Sequence, residues 1–223
     1  MTERRATWVV IAAYNEGPVV HDVVRDVVGD GWSVVVVDDG SHDDTHVHAR
    51  AAGATVLRHS VNLGQGAALQ TGIDYAVRRR AERIVTFDAD GQHSTSDIPA
   101  MVAALDDADI ALGSRFMGTV EGASGRRMAM LRAAVAMSNR LSGMKLTDAH
   151  CGLRAFRAEI SPKLRIRQDR MAHASELLHK IKSSGVRVVE VPVTVRYTAH
   201  SMEKGQSGFQ AIRILFDYFF RAS

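Results

Sequence analysis

The chain is poor in cysteine, proline and aromatic side chains, and it has no long apolar run. With one cysteine, Cys151, no disulfide can form within the chain, which suits a reducing compartment. No stretch reaches the roughly 18–20 apolar residues that span a bilayer. The expectation is a cytoplasmic protein, at most peripheral on the cytoplasmic membrane face. The opening "MTERRATWVVIAAYNE" carries Arg4 and Arg5, but Tyr14-Asn15-Glu16 breaks its apolar run, so it reads as a first strand rather than a signal peptide. A large excess of one charge is lacking too. A formal net charge of +3 does not argue for nucleic acid; it suits anionic small substrates or an anionic membrane surface. The stretch "NLGQGAALQTG" (62–72) has neither a Walker Lys-Ser/Thr nor G-x-G-x-x-G. It leaves two readings: helix–sheet packing through small residues, or close backbone approach to a ligand at a helix N-terminus.

What is present is a regular alternation. Apolar, β-branched runs at 8–13, 33–41, 54–59, 83–90 and 109–115 read as buried strands. Helical patterns at 17–29, 43–52, 64–80 and 94–105 separate them, so the fold class is α/β with a mostly parallel sheet. Beyond 115 the pattern changes. "MGTVEGASG" reads as a flexible loop, 126–142 as a helix, 146–157 as an irregular turn with a short strand, 173–184 as a helix and 186–197 as a long strand. An aromatic-rich helix is expected at 209–220. No repeat, linker or low-complexity tract appears, so 1–223 is taken as one domain.

In a parallel α/β sheet, ligands bind at the carboxyl ends of the strands. Three such ends are polar: Tyr14-Asn15-Glu16, Asp38-Asp39-Gly40-Ser41 and Asp88-Ala89-Asp90. Each alone can be a helix N-cap. Three at one edge ask for a cation or many donors. A hard divalent ion prefers oxygen ligands and keeps waters and substrate phosphates as the rest, a role that suits Asp88, Asp90 and the amide oxygen of Gln92. His42 and His46 have the spacing of a zinc pair, but no third ligand follows, and a solvated face with His48 is the plainer reading. Arg78, Arg79 and Arg80 end a helix, where cations suit the dipole. Cys151 near Asp148 and His150 reads as a buried thiol rather than a nucleophile. Arg115, Arg196 and Lys204 could together balance phosphates.

The joint order of "VVIAAYNE", "VVVVDDGSHDDT", "NLGQGAALQTGI", "IVTFDADGQH", "LGSRF" and "LTDAHCGLRAFR" resembles a GT-A glycosyltransferase of family 2, on the branch of dolichol-phosphate mannose synthases and polyprenyl-phosphate glycosyltransferases. The likeness covers about residues 8–157, and "VEVPVTVRY" with "KGQS" extends it to about 207. It implies a Rossmann-like sheet flanked by helices, with a nucleotide-sugar-binding half (1–115) and an acceptor-side half (116–223) that ends in a strand and an amphipathic helix. It implies that Ala12, Tyr14, Glu16, Val37 and Asp39 line base and ribose of a UDP- or GDP-linked sugar. Asp88, Ala89 and Asp90 would form a D-x-D element with Mg²⁺ or Mn²⁺ as cofactor, Gln92 adding a ligand. Arg115, Arg196 and Lys204 would contact phosphates. The family usually has Pro where Ala12 stands, and the spacing around Arg196 and Lys204 differs.

The implied reaction is inverting transfer to a polyprenyl phosphate. Its anionic oxygen needs no strong base; a hydroxyl acceptor would, and Asp148 is the candidate. Phe209, Ile212, Leu215, Phe216, Phe219 and Phe220 form a stripe that would pack on the core or lie at a lipid interface or membrane partner, helped by Arg126 and Arg127. Alternatives are transfer to a soluble or natural-product hydroxyl, and a non-catalytic nucleotide-sugar-binding subunit. A nucleotidyltransferase would show a Gly-rich, basic signature after the first strand, where this chain has "AAYNEGPVV". The oligomeric state is left open.

Overall fold

The computed structural model describes residue 4 and residues 6–168 and 172–198. The first part runs β1 (Thr7–Ala13), α1 (Gly17–Gly29), β2 (Ser33–Asp38), α2 (Thr45–Ala51), β3 (Thr55–Arg58), α3 (Gln65–Arg78), β4 (Arg83–Asp88) and α4 (Ile98–Ala103). The second runs β5 (Ile110–Glu121), α5 (Gly125–Ser142), β6 (Arg154–Arg157), α6 (Ala172–Ser184) and β7 (Val188–Arg196). The loop expected at 201–208, with Lys204, and the helix expected at 209–220 lie outside the described residues.

The described strands form one sheet in the order β3-β2-β1-β4-β6-β5-β7. β1 pairs in parallel with β2 and β4, and β5 pairs in parallel with β7. Helices cover both faces, so successive residues of a central strand must all be apolar. On β1, Val9 and Ile11 join α1 and α4 in one core, while Val10 joins α3, α5 and α6 in the other. α1 presents Val20, Val23, Val24 and Val27 to the sheet, a helical stripe opened by Pro18 in the first turn. α5 is capped by Ser124, whose hydroxyl accepts from the Arg127 N–H at 3.2 Å, and ends on Gly143 in the left-handed region.

Two features depart from the sequence expectation. β6 runs antiparallel between β4 and β5. Its beginning, not its end, therefore lies at the carboxyl edge, and residues 148–153 enter there. β5 also continues to Glu121 instead of yielding to a loop after 115. Its register with β7 breaks after Ser114 and resumes at Thr119, so Arg115 to Gly118 form a bulge beside the edge. Helix 94–105 is an α-turn flanked by 3-10 turns at Thr95–Asp97 and Ala104–Asp106.

The small residues of α3 let it lie close on the sheet. A Cβ on Gly72 would stand 2.4 Å from Val10 Cγ1 and 3.3 Å from Val37 Cγ2. Helix propensity alone predicts that Gly72→Ala stabilises by about 1 kcal/mol. The contact predicts the opposite sign, a loss of about 1–3 kcal/mol in urea unfolding, recovered in part by adding Val10→Ala. A more stable Gly72→Ala would show that α3 is free to shift.

Candidate active site

Ala12 pairs with Val37 on one side and with Asp88 on the other, so three predicted site residues form one row across β2, β1 and β4. Val37 is fully buried and Ala12 half-buried. The loops beyond the row are stitched together. The Asn15, Glu16 and Gly17 N–H groups donate to Ser41 Oγ (2.9 Å), Thr45 Oγ1 (2.8 Å) and Asp43 Oδ2 (3.0 Å). In return, His42 N–H donates to Asn15 Oδ1 at 2.9 Å. Asn15 holds a positive φ of 54°, which turns the chain sharply at the strand end. Tyr14 stands exposed, edge-on to His42 with ring centroids 6.4 Å apart.

The acids ending β2 have partners within the protein. Asp38 accepts from Ser41 N–H at 2.9 Å and pairs with Arg58 Nε at 3.1 Å. Asp39 is 2% exposed: its Oδ1 accepts from Leu63 N–H (3.0 Å) and meets His59 Nδ1 (2.7 Å), and its Oδ2 accepts from Gly64 N–H (2.7 Å). Asp39 thus caps the start of α3 from another strand. His46 meets Arg58 at 3.2 Å and stands 3.5 Å from Asp38, a hydrogen-bonding role. A cavity of about 630 Å³ opens beside these loops, lined by Ser41, His42, Arg58, His59 and Asn62 among others.

The turn after β4 carries the remaining acids. Asp88 meets His93 Nε2 at 3.1 Å, and the His93 ring lies edge-on to Phe87. Asp90 accepts from Gln92 N–H (3.0 Å) and Gln92 Nε2 (2.8 Å), which leaves the Gln92 amide oxygen as a third available oxygen. Ala89 is buried in the core. β7 clamps this turn: Arg196 N–H donates to Gln92 O at 2.8 Å, and Thr194 N–H to Asp97 Oδ2 at 2.6 Å. The Arg196 guanidinium lies exposed on Glu121 at 2.9 Å, and so away from the turn.

Charge at the turn is unbalanced. Burial pushes the Asp88 carboxyl up, but the His93 hydrogen bond and charge, with Arg154 and His173, outweigh it and hold Asp88 below its usual range. Asp90 is pushed up to about 6, by burial first and the Asp88 charge second, with Glu16 adding to it. No group of three or more His, Cys, Asp or Glu side chains converges on an ion among the described residues. The donors present are two carboxylates and an amide oxygen, which fits a hard divalent ion that arrives with phosphate and water ligands.

Arg115 lies within β5, not beyond it, and is 8% exposed. Its Nε donates to Asp148 Oδ2 at 2.5 Å and its Nη1 to Tyr197 Oη at 2.8 Å. Burial works against its charge, but Asp148 and Tyr197 outweigh that and raise its pKa. Asp148 is 2% exposed and also accepts from His150 N–H at 3.0 Å. Burial first, then Asp148, pushes the Cys151 thiol up to about 12, so it stays protonated and unreactive.

Three further residues beside the site escaped the sequence reading. Glu190 on β7 accepts from Thr147 N–H, Thr147 Oγ1 and Asp148 N–H at 2.7–3.0 Å, fixing the segment that holds Arg115. A Cβ on Gly152 would stand 1.9 Å from Asp88 Oδ2, so the Asp88 carboxylate occupies the place of a missing side chain. Arg154 is buried on β6. Glu190 and Arg154 could have been found as charges inside apolar strands; Gly152 carries no local signal.

A family model described as "Glycosyl transferase family 2" matches residues 8–165. An uncharacterized protein of Methanocaldococcus jannaschii is 34% identical over 94% of this chain and 89% of its own length. A polyprenol monophosphomannose synthase of Mycolicibacterium smegmatis is 32% identical over 84% of this chain and 76% of its own. Glucosyl-3-phosphoglycerate synthase of Mycobacterium tuberculosis, in complex with Mn²⁺, UDP-glucose and phosphoglyceric acid, superposes with a TM-score of 0.68 at 22% identity, over 96% of this chain and 79% of that one. That likeness establishes the GT-A fold.

A carboxyl raised to about 6 in the folded state, against 3.8 unfolded, is protonated more readily when folded. Asp90 therefore opposes folding above about pH 6, and this cost fades as pH falls toward 4. Asp90→Asn should stabilise the metal-free protein by about 1–3 kcal/mol at pH 7.5 and by almost nothing near pH 4. Thermal melts at the two pH values check this. An equal effect at both would mean the Asp90 carboxyl is not strained.

Proposed function

The chain belongs to glycosyl transferase family 2 and is a sugar-transferring enzyme, and from that premise we propose that it moves a sugar from a nucleoside diphosphate to a phosphate-bearing acceptor, a polyprenyl phosphate, with inversion. The observation that carries this reading is the pair Asp88–Asp90, clamped by β7, with the charge of the buried Arg154 acting on Asp88. The name of the mycobacterial relative supports the choice of acceptor.

In this reading the nucleoside enters the cavity beside His42, with Tyr14 at its mouth, and the diphosphate reaches the β4 turn. Asp88, Asp90 and Gln92 would hold Mg²⁺ or Mn²⁺, which would neutralise charge on the departing diphosphate. An oxygen of the acceptor attacks the anomeric carbon from the opposite face. The bond from that carbon to the diphosphate oxygen breaks, and its electron pair leaves with the nucleoside diphosphate. An acceptor phosphate is already anionic, so no proton has to be taken. Asp148 and Tyr197 orient Arg115, which faces the phosphates with its remaining donors. Arg196 would have to leave Glu121 to join it. Residues 1–115 serve the donor and the later ones the acceptor.

No helix among the described residues is long and apolar enough to cross a membrane. A lipid acceptor would therefore be met by peripheral contact of these residues. A second reading, transfer to a soluble acceptor, is favoured by the structural neighbour whose complex holds phosphoglyceric acid.

Calorimetry with UDP and GDP, each with Mn²⁺ or EDTA, tests the donor half. One nucleotide should bind only with metal. Asp90→Ala should weaken that binding by more than about 100-fold, because loss of outer partners of a metal site alone costs about 10–100-fold. Absence of any metal-dependent nucleotide binding would sink the proposal.

A further inference from the structure

The arginines at least partly buried beside these strands differ in one respect among the described residues. Arg115 uses its donors on Asp148 and Tyr197. Arg157 donates to the carbonyls of Leu105, Asp106 and Ala108. Arg154 is 6% exposed, yet among the described residues no hydrogen bond or ion pair reaches its guanidinium. Arginine cannot shed its proton in a protein, so a charged guanidinium stands in a largely buried place with no acceptor among the described residues. Such a group opposes folding strongly.

Its position indicates what it serves. Arg154 opens β6, opposite Thr86 of β4 and Leu112 of β5. The Thr86 hydroxyl donates to Gly152 O at 2.8 Å, and no hydrogen bond joins it to Arg154. Burial lowers the Arg154 pKa, while Cys151, Asp88 and Asp148 pull the other way. Its head therefore lies between the metal-binding turn and the Arg115–Asp148 pair. The donor row Val37–Ala12–Asp88 ends at Asp88, and β6 is the next strand beyond it. A group held there lies on the far side of the diphosphate from the nucleoside, where the acceptor must stand. An arginine with both edges of its fork available can take two phosphate oxygens at once.

We propose that Arg154 binds the terminal phosphate of the acceptor, a phosphate monoester, and holds it against the donor sugar; this rests on the glycosyltransferase reading above. The shared chemistry is the phosphate monoester, carried by a prenyl chain or by a small soluble molecule.

The test uses the full chain as wild type, Arg154→Met and Arg154→Lys. Calorimetry measures a short-chain prenyl phosphate, 3-phosphoglycerate, and metal with UDP or GDP; thermal melts are run alongside. Arg154→Met should melt at or above the wild-type temperature, because an unpaired interior charge is replaced by a side chain of similar length. It should keep nucleotide affinity within about twofold and lose affinity for the phosphate monoester by at least about tenfold. Whichever monoester shows that loss identifies the source. If Arg154→Met does not fold, Arg154→Lys decides: a roughly tenfold loss supports the bidentate grip, and unchanged affinity overturns it. Three other results overturn the proposal: unchanged monoester affinity in Arg154→Met, a loss of nucleotide affinity alone, or a wild type that binds no phosphate monoester. Arg154-dependent monoester binding without any nucleotide binding would instead leave this site standing and remove the proposed donor.

Discussion

Charge neutrality at the carboxyl edge of the sheet is the constraint on which the rest of the molecule depends. Several parallel strands end in acids there, and like charges in a partly dry setting cannot remain together without donors. The chain answers acid by acid. Asp38 has Arg58, Asp39 has the N–H groups that begin α3, Asp148 has Arg115, and Glu190 has the backbone of 147–148. Each answer also joins two segments distant in sequence, so the edge is fixed by the same bonds that neutralise it. Asp88 and Asp90 are the pair left short, and the deficit shows in the carboxyl of Asp90.

That deficit makes the site something other than a polar rim. A pair of half-buried carboxylates packed beside Ala89, Phe87 and His93 attracts a cation. The helices on both faces make this possible, since they keep the strand ends from relaxing into water. The reversed β6 brings the second half of the site to the same edge, because a strand entering there delivers its preceding loop where a parallel strand would deliver its following one.

Much of this was legible from the sequence. The β-branched runs and valine stripe of α1 gave the layers, since period and composition are local properties. The D-x-D turn and the strand-end acids gave the edge. What was not legible depends on partners rather than patterns. Nothing near Asp39 says that its acceptors are the N–H groups of 63 and 64. Arg115 was expected at the end of a strand, because the sequence does not show that β5 continues through a bulge. The direction of β6 is invisible in four residues, "RAFR". Gly152 matters for an atom it lacks, and only the position of Asp88 makes that meaningful.

The bonds that clamp the β4 turn have an effect unrelated to chemistry. β7 is the last strand of the sheet, and a bare last strand invites another chain to add to it. Its outward positions near the site are Pro192, Thr194 and Arg196. Pro192 has no N–H to offer, and the N–H groups of Thr194 and Arg196 are occupied by Asp97 and Gln92. The opposite edge, β3, is four residues long and ends in Arg58. Among the described residues, the flank of β7 that adjoins the β4 turn thus offers few free N–H groups for edge-to-edge pairing.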